Sequence, residues 1–330
     1  MRHTYTDVDG ELAKWATLSY RSKQMEPAMI DRQETTRSPV ANLLSELMVL
    51  FKARIVVLLL AAALAGAFIG ARGRPSGADL WLILVTGALS AMGASALNEY
   101  IERDKDRLMA RTRRRPLVAG TLAGAAWVPW VAVAMIVAPV LAVLPSNPAM
   151  ALSLALGAII YVVIYTLWLK PRTSLNIVVG GLAGSCAVLG GGAAVHAWSD
   201  PVVLGLALLL FFWTPIHFWA LAIVYREDYA RAGVPMLPVV AAPRVAAAWG
   251  LVHGVAAALT GLALALTSTL GYFYMVPVLV SSAFLLAQGI GLVVMPSKRR
   301  AWHLFHTSNA FLAVVLLASI AGSIVAAAAS

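Results

Sequence analysis

After about residue 45 the chain is a succession of nine long apolar runs separated by short polar or charged stretches. They lie near 48–70, 79–101, 121–144, 149–168, 175–197, 201–224, 244–267, 271–294 and 305–327. With a helical rise of ~1.5 Å per residue, each is long enough to cross a hydrocarbon layer of ~30 Å. The pattern predicts an all-α, polytopic membrane protein of nine transmembrane helices. Gly and Ala are frequent within the runs, which permits close helix approach and leaves room for bends. The sequence up to about residue 39 is polar, of mixed charge and without a strong apolar period. It lacks the apolar core and cleavage site of a signal peptide, so residues 1–45 are expected to form a flexible cytoplasmic tail, with a short interfacial helix over residues 7–20. The transmembrane domain then occupies residues 46–330.

Composition fits this class: of 330 residues, 61% are hydrophobic and only 12% charged, more apolar surface than a soluble core needs. The single cysteine, Cys186, excludes an internal disulfide. A net charge of +10 raises the question of nucleic acid, but the basic residues fall in alternate loops and form no continuous patch, so no nucleic-acid partner is expected. Lys52 and Arg54, the block at 103–115, Lys170 and Arg172, then Arg226, Arg231 and Arg244, and finally Lys298, Arg299 and Arg300 share one side if there are nine spans. Arg72 and Arg74 lie on the other. The positive-inside rule makes the N-terminus and the basic loops cytoplasmic and the C-terminus external. The similar charged loops after the second and sixth runs are consistent with a duplicated four-helix unit plus one extra span.

One stretch, residues 98–116, reads NEYIERDKDRLMARTRRRP and concentrates charge where the second span leaves the lipid. If the helix continues at ~100° per residue, Asn98, Glu102 and Asp106 advance only ~40° at each step and share a face. An amide oxygen and two carboxylates suit Mg²⁺, which takes one or two protein carboxylates and completes its shell with water and phosphate oxygens. Arg111, Arg113, Arg114 and Arg115 supply charge and bidentate donors for a diphosphate. The alternative is a loop kept positive for topology, with solvated acids on its rim.

Two further segments carry candidate chemistry. In YTLWLKPRTSLNIVVGG, residues 165–181, Lys170 and Arg172 end a helix where cations are favoured and can neutralise a departing phosphate, while Tyr165 can hydrogen-bond it or face a cation. Snorkelling of Lys170 and interfacial anchoring by Tyr165 explain the same residues. In FFWTPIHFWALAIVYREDYARAGVPMLPVV, residues 211–240, His217 and the later His253 are the ionisable residues in mid-span. His217 can donate to an acceptor carboxylate, ligate iron, or bond a backbone carbonyl. Arg226, Glu227 and Asp228 sit at the helix exit. Near the C-terminus, residues 298–306 serve as a membrane-surface anchor, or place His303 and His306 at an acceptor's carboxylates.

NEYIERDKDRLMARTRRRPL resembles the first Asn/Asp-rich motif of the UbiA superfamily of intramembrane prenyltransferases, most closely its haem O synthase branch. The 165–181 segment is similar to that branch's Tyr-Thr…Leu-Lys-Arg…Asn-Ile-Val-Ile-Gly-Gly, with Pro171 inserted in the basic pair. YREDYARAGVPMLPVV is similar to its Asp-Tyr…Val-Pro-Met-Leu-Pro-Val-Val run, and Lys52-Ala53-Arg54 to its Lys-Pro-Arg. Two departures stand out: Glu102 where aspartate is usual, and GSCAVLGGG at 184–192 in place of a Pro-Pro segment expected to bend the fifth helix. The resemblance implies a UbiA-like bundle around a central cavity in the bacterial cytoplasmic (inner) membrane. It implies Mg²⁺ as cofactor, held by Asn98, Glu102 and Asp106, and farnesyl diphosphate as donor, bound by Asn98, Arg54, Arg111, Arg114, Arg115, Arg172 and Arg226, with Arg226 replacing a second metal. Haem B is the implied acceptor, with Lys170, Tyr165, Asp228 and His217 carrying the chemistry. A haem A synthase or an oxidase assembly factor is the implied protein partner. The altered 184–192 segment keeps open a quinone precursor or another tetrapyrrole as acceptor, and polar residues at helix ends also suit a transporter.

Overall fold

The computed structural model describes residues 39–122 and 125–329, and the regular elements there are helical. Nine helices among the described residues are long and apolar enough to span a membrane. They are α1 Ala53–Gly70, α2 Gly77–Asp106, α3 Ala125–Val143, α4 Pro148–Leu169, α5 Asn176–Ala194, α6 Pro201–Val224, α7 Pro243–Leu264, α8 Gly271–Val294 and α9 Lys298–Ala329. The expected spans are all present with shifted ends: the first starts at Ala53 and not at 48, because the chain turns at Lys52, and polar residues prolong others. Helix α2 continues to Asp106, so the acidic stretch is helical, and α9 begins at Lys298. A separate helix, Pro39–Leu50, precedes α1. The interfacial helix expected over residues 7–20 lies outside the described residues, as does the tail up to residue 38.

Local chemistry sets the limits of α2. Ser76 accepts from the Asp79 amide and Asp79 accepts from the Ser76 amide, a capping box that satisfies two orphan donors at its start. At the other end of α2 the basic residues Arg103 and Lys105 occupy the last turn, where the helix dipole favours cations. Between Leu50 and α1 the chain turns at Lys52, whose backbone is left-handed at φ 48° and ψ 49°. For a non-glycine residue this conformation costs about 1–2 kcal/mol, and such strain concentrates at functional sites.

Each span packs against the next from α1 to α9, and α9 closes the ring on α1. Helices α1 and α5 also meet, through glycine. A Cβ on Gly191 would lie 1.8 Å from the Ala63 carbonyl oxygen, and one on Gly66 would lie 2.3 Å from that of Val188. A Cβ on Gly192 would approach the Val203 side chain to 2.6 Å. The stretch 188–192 of the glycine-rich segment is therefore a packing surface, with Val188 and Gly191 against α1 and Gly192 against α6. Large apolar side chains such as Trp81, Trp130, Leu259, Phe284 and Leu317 point outward, as a lipid-facing surface requires.

Candidate active site

Up-and-down connection brings the ends of α2, α4 and α6 together with the starts of α1 and α9. At this end the side chains of Asn98, Glu99, Glu102 and Asp106 are all buried, although they are among the most polar in the chain. Each of the residues expected to share a face has a partner. Asn98 donates to Thr166 Oγ1 at 2.9 Å and accepts from Lys52 Nζ, which also donates to the Tyr161 hydroxyl at 3.1 Å. Glu102 pairs with Lys170 at 2.5 Å, and Asp106 with Arg115 at 2.6 Å. The interior at this level is thus occupied by opposed charges drawn from the end of α2, the loop after it, and the residues that cap the start of α1 and the end of α4.

The end of α4 has an unusual backbone. Residues Ile159–Leu169 form a π-helix, in which the Lys170 amide reaches back to the Tyr165 carbonyl at 2.8 Å. This wider turn stacks the Tyr161 and Tyr165 rings at 5.9 Å and leaves Lys170 Nζ 5.4 Å from the Tyr165 ring centre. Gly180 makes room for that ring, since a Cβ there would lie 2.8 Å from it. The Asn-Ile-Val-Val-Gly-Gly segment after α4 therefore packs closely against Tyr165.

The electrostatics follow from burial among charges. Burial and then the charge of Arg115 push the Lys52 ammonium down to about 7, against the pull of Glu102. Burial also works against the charge on Lys170, but the Glu102 carboxylate outweighs it and holds the ammonium above the usual lysine range. For Arg115 burial is likewise outweighed, here by Asp106 and Glu99, so the guanidinium stays charged.

The second charged stretch meets the first. The Arg111 backbone amide donates to Asp228 Oδ2 at 3.3 Å, and the Arg111 guanidinium lies 5.2 Å from the Tyr225 ring centre. Asp228 also pairs with Arg231. Met109 packs in one apolar cluster with Ile177, Trp219, Tyr229 and Met236, so three sequence segments share a core just beneath the charges.

Several expected site residues stand apart from this cluster. Arg54, Arg114 and Arg226 are exposed at the rim. Arg172 turns back on its own helix and donates to the Leu167 and Trp168 carbonyls at 3.0 and 2.8 Å. His217 is stacked between Trp213 and Phe305, at 4.4 and 4.5 Å, with Nδ1 bonded to the Ser308 hydroxyl at 2.9 Å, not to a backbone carbonyl. His303 and His306 are exposed, and Lys298 pairs with Glu227 at 2.9 Å. Residues that the sequence reading passed over are Lys52 Nζ as a site donor, Tyr161, Thr166, Glu99, and Asn176, whose buried Oδ1 has no hydrogen-bond partner.

Among the described residues no group of three His, Cys, Asp or Glu side chains is placed to hold a metal. A hard cation that keeps most of its shell as water and phosphate needs only one or two carboxylates, which Glu102 and Asp106 can provide with the Asn98 carbonyl. The donor set therefore fits Mg²⁺ once Lys52, Lys170 and Arg115 release Asn98, Glu102 and Asp106.

Among the described residues, a ring of membrane-length helices therefore carries a buried acidic face that is met at one end by cations from several segments. Residues 59–321 match the UbiA prenyltransferase family, and the chain belongs to that family. It is 39% identical over 269 residues to the protoheme IX farnesyltransferase of Metallosphaera sedula, covering 81% of this chain and 92% of that protein. It is 42% identical over 296 residues to protoheme IX farnesyltransferase 1 of Saccharopolyspora erythraea, covering 86% and 91%. In fold it is similar to a digeranylgeranylglyceryl phosphate synthase, with a TM-score of 0.72 at 16% identity over 85% of this chain and 98% of that one. It is also similar to a UbiA homologue from Archaeoglobus fulgidus bound to GPP and Mg²⁺, with a TM-score of 0.58 at 17% identity over 84% of this chain and 99% of that one.

Proposed function

We propose that this prenyltransferase moves the farnesyl group of farnesyl diphosphate to a vinyl group of protohaem IX (haem B), forming haem O. The names of its relatives support the acceptor and donor. One observation carries the chemistry: the loop that follows the acidic face of α2 and the segment after α6, more than a hundred positions apart, meet through the Arg111 amide and Asp228 at 3.3 Å. The pyrophosphate head docks where they meet, and the tail lies among the apolar spans.

In this reading Asn98, Glu102 and Asp106 would hold Mg²⁺, which would neutralise diphosphate charge. Lys170, held charged, faces the departing diphosphate, with Arg111 at its edge. As the allylic C–O bond breaks, the Tyr161 and Tyr165 rings face the developing carbocation, and the surrounding apolar side chains exclude water. The terminal vinyl carbon then bonds to the allylic carbon, and water adds at the inner vinyl carbon with loss of a proton, leaving a hydroxyethylfarnesyl group. Because Ser308 occupies His217 Nδ1, Nε2 is the nitrogen left for the acceptor. Arg54, Arg114 and Arg226 steer the anionic head from the rim. The basic loops and the N-terminus face the cytoplasm of a bacterial cell, and a haem A synthase or an oxidase assembly factor receives the product.

The test is product identification. Purified protein with Mg²⁺, farnesyl diphosphate and haem B should yield a later-eluting haem with the mass of the hydroxyethylfarnesyl derivative. Absence of that haem, with turnover of an aromatic quinone precursor, would contradict the assignment.

A further inference from the structure

Glu99 takes no part in the pairs described so far. It is 0% exposed, and neither carboxylate oxygen has a hydrogen-bond partner. The Leu117 amide is directed toward it without completing a bond. A buried carboxylate left in this state is costly unless something pairs with it at another stage. On the helix, Glu99 and Asp106 are seven positions apart, so they fall within ~20° of each other two turns along the axis. The charges that bear on Glu99 are, in order, those of Arg115, Lys52 and Asp106, and those that bear on Arg115 are Asp106, Glu99 and Glu102.

Three buried acids on α2, Glu99, Glu102 and Asp106, are met by three basic side chains, Lys52, Arg115 and Lys170, of which Lys170 and Arg115 are held charged and Lys52 is pushed down to about 7. Two pairs are closed, Glu102 with Lys170 and Asp106 with Arg115. Lys52 is bonded instead to Asn98 and Tyr161, which leaves Glu99 as the carboxylate without a cation. A metal that draws Asp106 away strips Arg115 of its buried partner, and a buried guanidinium needs a replacement.

We propose that Glu99 is a positioning residue that takes up Arg115 when Asp106 is engaged by a metal-bound diphosphate. An exchange of partners within one helix face then lets the site load without stranding a buried charge. The inference rests on the reading of the α2 face as the metal–diphosphate site, and its test separates the two.

The experiment is calorimetric titration of the full chain in detergent with Mg²⁺ and inorganic pyrophosphate, accompanied by thermal unfolding of each variant without ligand. Glu99→Gln should weaken binding about tenfold, a coupling of ~1.4 kcal/mol, and Glu99→Asp, which keeps the charge, should restore part of the loss. In an Arg115→Met background Glu99→Gln should have no further effect, because the partner it serves is gone. Wild-type affinity in Glu99→Gln, or an equal loss with and without Arg115, overturns the exchange while leaving the metal site intact if Asp106→Asn still abolishes binding. Unimpaired binding by Asp106→Asn overturns both. If Glu99→Gln fails to fold, Glu99→Asp against Arg115→Met supplies the same comparison, and additive losses overturn the proposal.

Discussion

Lys170 Nζ lies 2.5 Å from Glu102 Oε1 and ties the exit of α4 to the last turn of α2. Both side chains are nearly enclosed, at 13% and 9% exposure, so each depends on the other for its charge. Removing one member of such a pair leaves an uncompensated ion and typically costs about 3–5 kcal/mol, whereas removing both costs much less. Lys170→Met should therefore destabilise the protein by about 3 kcal/mol, and adding Glu102→Gln should recover much of the loss. Denaturant unfolding in detergent micelles provides the measurement; additive losses in the double variant would show that the pair is not coupled.

Asp106→Asn keeps the shape of the side chain and removes its charge. We expect the Mg²⁺-dependent rate to fall by a factor of about 10² or more, with the helical circular-dichroism spectrum unchanged. Normal activity would remove Asp106 from the metal site.

The spans were legible because transmembrane helices need runs of a fixed length, and the face formed by Asn98, Glu102 and Asp106 followed from helical spacing alone. Glu99 was hidden by its position next to Asn98, about a quarter turn away; its alignment with Asp106 two turns later becomes visible only once the helix is known to reach that far. No hydropathy pattern announces the π-helix Ile159–Leu169, which brings Tyr161 and Thr166 to the acidic face. Arg172 reads as a phosphate ligand by type, yet the free carbonyls at the end of α4 claim it first. Gly191 and Gly192 read as the loss of a kink-forming motif, while their role is contact with α1 and α6.

That contact is open to a direct test. Valine at Gly191 would drive side-chain atoms into the Ala63 carbonyl, which lies 1.8 Å from the nearest possible Cβ. Overpacking of this kind costs about 1–3 kcal/mol or more, so Gly191→Val should lower the unfolding temperature, while valine at Gly184, which has open space around it, should not. Equal effects at the two positions would refute the close approach of α1 and α5.

Lys52 makes stability depend on pH. Its folded value of about 7 lies below the ordinary 10.5, so between those values the unfolded chain holds a proton that the folded chain does not. Stability should therefore rise as pH increases from about 7, and the protonated form below that range should be the less stable one. Unfolding temperatures measured between pH 7 and 9 should climb less steeply in Lys52→Met than in the wild type; parallel slopes would show that Lys52 is not depressed.

For His217 the expectation concerns the acceptor. Loss of the ring from between Trp213 and Phe305 should raise KM for haem by up to roughly tenfold, the scale of one hydrogen bond, with KM for the prenyl diphosphate little changed. Equal rises in both constants would assign His217 to packing alone.

A metal-bound pyrophosphate is expected between the acidic end of α2 and the segment after α6. A crystal structure with Mn²⁺ and a non-ionising thio analogue of farnesyl diphosphate tests it most directly, through the anomalous signal of the metal. The account predicts a peak at coordination distance, about 2.1 Å, from Asp106 or Glu102, with the diphosphate reaching Lys170 and the Arg111 loop. A metal and diphosphate bound elsewhere, with the Glu102–Lys170 and Asp106–Arg115 pairs still closed, would contradict it.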